Sequence, residues 1–207
     1  MIKFIYFDVG GVVIKDFSGT NKWIELQRGI GIKPEQDQEF VEFFDKYEPE
    51  VCLGRNIETL VPLMKKKFGL KLPKDYSFLK DFVDRFEKNE SIWPVIEKAK
   101  SKFGIGLLTN MYTNMLGLVK KRGLLPNIDW DVVIDSSVEK VIKPTEAIFK
   151  LAQERSGVNV NEIMFVENGK KHVEAAKAFG WQTFLYDSTN LEDSSKNLLN
   201  SLSSLQF

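Results

Sequence analysis

Four short polar clusters, each next to an apolar run or a helical segment, hold the residues that could do chemistry. Asp8 ends the first apolar run and precedes two glycines. The other clusters are Thr109-Asn110, Lys143-Pro144 and Glu167-Asn168. A carboxylate, a lysine and, at the start of a helix predicted to follow Asn110, a hydroxyl, an amide and backbone N–H groups can together bind an anion and attack it. Each cluster alone is also typical of a turn or a helix cap, so the prediction depends on their occurring together.

The elements that must position these clusters are apolar runs that alternate with helical segments. The runs lack a strict polar and apolar alternation, which is typical of parallel strands covered on both faces. They span residues 2–7, 104–108, 131–134, 162–166 and 182–186. Helical segments over 144–157 and 169–180 each end at a glycine, and residues 190–207 resemble a polar-faced terminal helix. The pattern predicts an α/β fold with a doubly wound, Rossmann-like parallel sheet.

Residues 15–91 follow a different pattern, with no convincing strand and several amphipathic helices. Aromatic residues recur at helical spacing at Phe40, Phe43, Phe44 and Tyr47. An all-α insert after the first strand would stand above the carboxyl ends of the strands, where open α/β sheets bind ligands. We therefore expect a small cap domain over a core formed by 1–14 and 92–207, with hinges at 15–19 and 91–94.

Charge and composition make several classes of protein improbable. The chain has 29 Lys and Arg against 29 Asp and Glu, so no excess positive charge indicates nucleic acid or an anionic membrane as partner. Cys52 is the only cysteine, which excludes an intramolecular disulfide and favours a cytoplasmic location. No run reaches membrane-spanning length, and Asp8 interrupts the one stretch that could be taken for a signal peptide. No apolar stripe stands apart from the core pattern, so the oligomeric state is not predicted.

The motifs FDVGGVV, LLTN, IKP and FVENGKKHVEAA resemble those of the haloacid dehalogenase superfamily of hydrolases, over nearly the whole chain. The first motif is closest to the phosphatase branch with FDxGG or FDxGN, which includes sugar-1-phosphate phosphatases. The resemblance implies that Asp8 is a nucleophile that forms an aspartyl-phosphate. It further implies that the phosphoryl oxygens are held by Thr109, the Asn110 backbone, Gly11 and Lys143.

The resemblance also implies a Mg²⁺ site formed by Asp8, the Gly10 carbonyl and the fourth motif. Asn168 stands where the family has a metal-binding aspartate, so we expect weaker Mg²⁺ binding, with Glu167 compensating. Gly10 stands where most members have a second aspartate that protonates the leaving group. We therefore expect a leaving group that needs little protonation, such as an anomeric sugar oxygen or an acyl phosphate.

Three functions follow from these motifs. The first is a phosphatase of a small phosphorylated metabolite such as a sugar phosphate. The second is a metal-free hydrolase like the 2-haloacid dehalogenases, which need a halide-binding arginine; neither Arg28 nor Arg55 has a convincing position for it. The third is a catalytically weakened descendant that binds a phosphorylated ligand or a protein, favoured by Asn168 and by the single histidine, His172. Insert side chains that could face the substrate are Phe17, Trp23, Phe44, Tyr47 and Arg55.

Overall fold

The computed structural model describes residues 1–204, and its centre is a parallel sheet of five strands. The strands are β1 (Phe4–Phe7), β2 (Ile14–Lys15), β3 (Glu87–Lys88), β4 (Gly104–Thr109), β5 (Val132–Asp135), β6 (Ile163–Glu167) and β7 (Gln182–Leu185). The central sheet has the order β5-β4-β1-β6-β7. Each of its strands overlaps one of the five predicted apolar runs and ends within one residue of it, so the predicted α/β fold is confirmed.

Helices cover the sheet and fill the segment between β2 and β3. They are α1 (Lys22–Ile30), α2 (Asp37–Cys52), α3 (Val61–Phe68), α4 (Phe78–Val83), α5 (Trp93–Lys100), α6 (Met115–Lys121), α7 (Ser136–Glu139), α8 (Glu146–Ser156), α9 (Lys170–Phe179) and α10 (Leu191–Ser204). Helix α10 is the predicted terminal helix, and residues 205–207 lie outside the described part of the chain. Across residues 1–204 no helix combines the length and the apolar character needed to cross a membrane.

Strand β1 lies at the centre of the sheet and fixes the position of Asp8. All four of its residues are buried, as expected for a strand with a neighbour on each side and helices on both faces. The register pairs Phe7 with Leu107 of β4 and with Val166 of β6. Asp8 therefore follows directly at the edge where β4 and β6 also end, and its N–H donates to the Val166 carbonyl over 2.9 Å.

The segment between β2 and β3 is mainly helical, but the expectation that residues 15–91 contain no strand is wrong. Strand β3 pairs antiparallel with β2, with Ile14 opposite Lys88 and Lys15 opposite Glu87. Strands of two residues are too short to give an alternating pattern, so the sequence carried no signal for them. The pair joins the two ends of the insert. The division of the chain into cap and core stays a prediction.

One continuous apolar cluster extends from the sheet into the insert. It includes Ile5 and Phe7 of β1 together with Leu26 of α1 and Phe40 of α2. Phe40 has no exposed surface and its ring contacts Trp23, Phe44 and Phe68, which lie on α1, α2 and α3. Aromatic packing therefore holds the inserted helices together and against the sheet.

Candidate active site

A cavity of about 500 Å³ lies between the carboxyl edge of the sheet and the inserted helices. Seven of the eight predicted site residues line it: Asp8, Gly10, Thr109, Asn110, Lys143, Glu167 and Asn168. Gly11, the eighth, lies beside Asn168 and is not among the described residues that line the cavity. The four clusters thus meet at one place, formed by the ends of β1, β4 and β6 and the turn before α8. Open α/β sheets bind ligands at this edge, the carboxyl ends of their strands.

Asp8 is almost completely buried, with 8% of its surface exposed. Its Oδ1 accepts the Val9 N–H over 2.8 Å and lies 2.9 Å from Lys143 Nζ. Burial and the nearby Glu167 raise the pKa of Asp8 to about 6, against the opposing effect of Lys143 and the Thr109 hydroxyl. The carboxylate is therefore mostly ionised at neutral pH.

Lys143 forms a buried bridge between two carboxylates. Its Nζ lies 2.6 Å from Glu167 Oε2 and 2.9 Å from Asp8 Oδ1, and 2% of the residue is exposed. Burial lowers the pKa of Lys143, but the charges of Asp8 and Glu167 outweigh burial and raise it above its ordinary value. Burial likewise opposes ionisation of Glu167, yet Lys143 and His172 lower the pKa of Glu167 to about 2. The lysine is therefore held charged between two carboxylates.

The Asn110 side chain positions Lys143. Its Nδ2 donates to the Lys143 carbonyl over 3.0 Å, and its Oδ1 accepts the Lys143 N–H over 2.9 Å. Because these two hydrogen bonds engage the side chain, only the main chain of Asn110 is left to face a ligand. This is compatible with the role that the resemblance implied for the Asn110 backbone. The sequence predicted that this amide would face an anion together with the Thr109 hydroxyl, but in the structure it binds the backbone of Lys143.

Two predicted helix starts are wrong. Thr109-Asn110 are not followed at once by a helix, because a loop continues to Asn114, whose φ is 69°, and α6 begins at Met115. Pro144 is not the first helical residue, because the Thr145 N–H closes a turn onto the Ile142 carbonyl over 2.9 Å and α8 begins only at Glu146. The Lys143–Pro144 bond is cis. The anion site therefore depends on loop groups and Lys143, without a helix N-terminus at Asn110.

The predicted Mg²⁺ donors are all oxygens, which suits a hard cation. Glu167 already uses both of its oxygens, since Oε1 accepts the Gly169 N–H over 2.8 Å and Oε2 binds Lys143. Within the described chain no three His, Cys, Asp or Glu side chains form a metal cluster. The remaining donors are the Asp8 carboxylate, the Gly10 carbonyl and the Asn168 amide, and these residues fit a weakly held Mg²⁺.

Gly11 and Asn168 pack closely, and both this contact and the backbone conformation of residue 11 favour glycine. Gly11 has a φ of +73°, and a Cβ there would overlap the Asn168 amide nitrogen. Asn168 Nδ2 also donates to Ser18 Oγ over 3.3 Å. The second glycine of the first motif thus makes room for the side chain in the position of the family's metal-binding aspartate.

Asp16 is a cavity residue that the sequence analysis missed. A Cβ built on Gly10 would lie 2.7 Å from Asp16 Oδ2, so the Asp16 carboxylate occupies the space in which a side chain at position 10 would begin. Its Oδ1 accepts the Ser18 N–H over 2.8 Å, and burial raises its pKa. No regular spacing relates Asp16 to Asp8. The only signal in the sequence was the glycine at position 10, where most members of the family have a second aspartate.

Glu48 is the second missed residue, and here the sequence did contain a signal. It continues the Phe40 and Phe44 stripe of α2 by one more helical turn, so an acid stands where an apolar residue is expected. Glu48 lines the cavity, and its Oε1 accepts a hydrogen bond from the Tyr112 hydroxyl over 3.2 Å. Glu48 as a whole is exposed, and the partial loss of hydration around its carboxyl group raises its pKa.

The insert side chains first considered for substrate contact do not line the cavity. Among the described residues, the insert contributes Asp16, Ser18, Glu48, Pro49, Cys52, Phe82 and Phe86 instead. Arg55 pairs with Glu50 over 2.6 Å and Arg28 pairs with Asp37, both outside the cavity. No arginine lines this cavity within the part of the chain that the structure describes. His172 does line it, with its Nδ1 3.4 Å from Glu167 Oε2.

The fold and this site together define a class of α/β protein with a doubly wound sheet whose central strand ends in a buried carboxylate beside a lysine. The family model for haloacid dehalogenase-like hydrolases matches residues 2–180. The chain belongs to this family, which confirms the resemblance of the motifs.

Solved structures share the fold at low sequence identity. A predicted haloacid dehalogenase (HAD)-like family hydrolase of Porphyromonas gingivalis is 23% identical to this chain. Its TM-score is 0.73, and the match covers 96% of this chain and 98% of the other. A HAD-family enzyme of Bacteroides thetaiotaomicron, in complex with magnesium and inorganic phosphate, is 18% identical, with a TM-score of 0.74 over 91% and 96%. The L-2-haloacid dehalogenase of Xanthobacter autotrophicus is 21% identical, with a TM-score of 0.64 over 90% and 78%.

A curated relative is (S)-2-haloacid dehalogenase 4A of Burkholderia cepacia, 32% identical over 118 residues. The match covers 53% of this chain and 49% of the relative, so the similarity spans about half the length of each.

Proposed function

We propose that this hydrolase is a phosphatase of a small phosphorylated metabolite, such as a sugar phosphate, that acts through an aspartyl-phosphate at Asp8. The observation that carries the proposal is the charge of the cavity. Its described lining has four carboxylate residues, Asp8, Asp16, Glu48 and Glu167, against two lysines, Lys143 and Lys171. Such an excess suits a divalent cation together with a phosphate, whereas a carboxylate substrate without metal would be repelled.

In the proposed reaction an Asp8 oxygen attacks phosphorus, the bond from phosphorus to the ester oxygen breaks, and the leaving oxygen takes up a proton. Water then attacks the aspartyl-phosphate, which releases inorganic phosphate and restores Asp8. Lys143 Nζ and the Thr109 hydroxyl stabilise the charge that develops on the phosphoryl oxygens. Mg²⁺, when bound, would neutralise further charge between Asp8 and the phosphate.

Asp16 is the group we assign to the leaving oxygen. Its Oδ2 lies beside Gly10, at the position from which the family's second aspartate would extend. A carboxyl group there can hand a proton to the departing alkoxide. This assignment removes the need for a leaving group that departs without a proton.

The alternative with specific support is a 2-haloacid dehalogenase activity, because the curated relative bears that name. Such a substrate carries a carboxylate and releases a halide, both of which need cationic partners. Lys143 is already shared by Asp8 and Glu167, and the arginines of the insert are paired elsewhere. The charges of the cavity therefore favour the phosphatase.

The test compares p-nitrophenyl phosphate with 2-chloropropionate, each with Mg²⁺ and with EDTA, for the wild type and Asp8→Asn. We expect Mg²⁺-dependent phosphate release from the wild type and its loss in the variant. Chloride release that EDTA does not suppress would replace the proposal by the dehalogenase. No release in any assay would instead favour a descendant that only binds a phosphorylated ligand or a protein.

A further inference from the structure

The insert side of the cavity would contact the part of a substrate that leaves with the ester oxygen, and its residues would therefore determine which leaving groups the proposed phosphatase accepts. Glu48 lies on α2, and its neighbours Pro49 and Cys52 on the same helix also line the cavity. The strand-end cluster of Asp8 and Lys143 lines the same cavity from the sheet. A substrate whose phosphate sits at the strand ends would therefore extend its leaving group toward Glu48.

One oxygen of Glu48 is available to a ligand. Oε1 accepts from the Tyr112 hydroxyl over 3.2 Å, whereas Oε2 accepts from no group within residues 1–204. No lysine, arginine or histidine of the described chain forms an ion pair with Glu48, whereas Asp37, Glu39 and Glu50 on the same helix are each paired with a cation. A carboxylate oxygen without a partner next to a cavity recognises a hydrogen-bond donor.

Aromatic rings also line the insert side of the cavity. Phe82 and Phe86 line the cavity and lie edge to face, with ring centroids 5.4 Å apart. Tyr112 packs against Phe82 at 5.5 Å and presents its hydroxyl to Glu48. Carbon atoms of a leaving group can pack on these rings while a donor group reaches Glu48.

The cations of the cavity are on its other side. Lys143 is the buried bridge at the strand ends, and Lys171 is in the first turn of α9, which follows β6. A negative charge on the leaving group would therefore face Glu48 without a cation from the insert.

We propose that Glu48 selects the substrate by accepting a hydrogen bond from a hydroxyl or ammonium group of the leaving group. The enzyme would then hydrolyse phosphate esters of polyols, sugars or amino alcohols, and would reject esters whose leaving group carries a carboxylate. This inference rests on the proposed phosphatase activity and specifies its substrate class.

The test uses two matched pairs of substrates that differ by a carboxylate: glycerol 3-phosphate with 3-phosphoglycerate, and phosphoethanolamine with phosphoserine. We expect the wild type to prefer the first member of at least one pair by about 10- to 100-fold in kcat/KM. Glu48→Ala should lower kcat/KM for the preferred substrate by about the same factor, and Glu48→Gln should mainly reduce the discrimination against the carboxylate. The preferred pair distinguishes a hydroxyl from an ammonium donor.

Two controls separate this role from a structural one. Glu50 lies on the same helix but outside the cavity, so Glu50→Gln should leave kcat/KM for both substrate pairs unchanged. With p-nitrophenyl phosphate, which has no donor, Glu48→Ala should lower kcat/KM by much less than it does with the preferred substrate. Equal loss on p-nitrophenyl phosphate, or equal rates on both members of each pair in the wild type, would overturn the role of Glu48 alone. Absence of any phosphate release by the wild type would overturn the proposed function and this inference with it.

Discussion

At the scale of single residues, the site depends on one lysine held between two buried acids. Lys143 is within 3 Å of both Asp8 and Glu167, and Asn110 fixes its backbone through two hydrogen bonds. Removing a partner from a buried charge network leaves the others uncompensated, which commonly costs about 3–5 kcal/mol. Glu167 thus contributes to the site as the second partner of the lysine.

Asp16→Asn is expected to discriminate between leaving groups. A general acid contributes about 10²- to 10⁴-fold when the leaving oxygen is basic, and little when it is not. The variant should therefore lose about a hundredfold or more on an alkyl phosphate, and far less on p-nitrophenyl phosphate. Steady-state rates across a series of leaving-group pKa values measure this. The assignment of Asp16 would be contradicted if the rate of the wild type fell steeply with increasing leaving-group pKa and Asp16→Asn did not change this dependence.

Asn168→Asp should strengthen Mg²⁺ binding, since a carboxylate is a better ligand than a neutral amide for a hard cation. We expect the Mg²⁺ dissociation constant to fall by about tenfold, measured by calorimetry on the otherwise unchanged protein. Asn56→Asp, at a helix cap outside the cavity, is the matched control. An unchanged Mg²⁺ affinity in Asn168→Asp would show that the metal lies elsewhere.

At the scale of elements, the sequence predicted the strands better than the loops that complete the site. Apolar runs mark β1 and β6 because these strands are buried on both faces, and Asp8 and Glu167 could be placed at one edge from that alone. The position of Asp16 depends on the path of the chain after Gly10, which no periodicity encodes. The β2–β3 pair was missed for the same reason, since two residues are too few to show a period.

The aromatic packing of the insert yields a stability prediction. Phe40→Ala removes a ring that joins three helices, and a large-to-small change at such a site lowers the free energy of unfolding by about 3–5 kcal/mol. Asp45→Ala, exposed on the same helix, should change it by less than about 0.5 kcal/mol. Denaturant unfolding of both variants tests this, and similar effects from the two would show that Phe40 has no special role.

The contact between α1 and α2 yields a pH prediction. Arg28 binds Asp37 through its Nη1 over 2.6 Å, and this bond lowers the pKa of the Asp37 carboxyl. Because the folded pKa is the lower one, the contribution to stability is complete above the ordinary value of about 4 and is lost as the pH falls through the folded pKa. Thermal unfolding of Asp37→Asn should therefore be shifted to lower temperature at neutral pH and should converge on the wild type in acid. A constant difference at all pH values would exclude the ion pair as the cause.

At the scale of the whole molecule, we expect the surplus of carboxylates in the cavity to couple the binding of metal and phosphate. Mg²⁺ reduces the repulsion that phosphate meets, so each ligand should bind more tightly in the presence of the other. At a hundred times its dissociation constant a ligand stabilises the fold by about 2.7 kcal/mol. We expect the thermal midpoint to rise more with Mg²⁺ and inorganic phosphate together than with the sum of each alone, and EDTA to reverse this. Equal stabilisation by phosphate with and without Mg²⁺ would show that Lys143 suffices.

The short β2–β3 pair has a consequence for engineering. Lys15 and Glu87 are antiparallel partners, so the chain leaves for the inserted helices and returns from them at neighbouring points. In terms of connectivity, everything between these two residues is one very long hairpin loop, which a tight turn could replace without redirecting β1 or α5. Such a shortened chain would keep Asp8 at its strand end but would uncover apolar residues now shared with the insert, so it would need polar replacements there to remain dispersed in water.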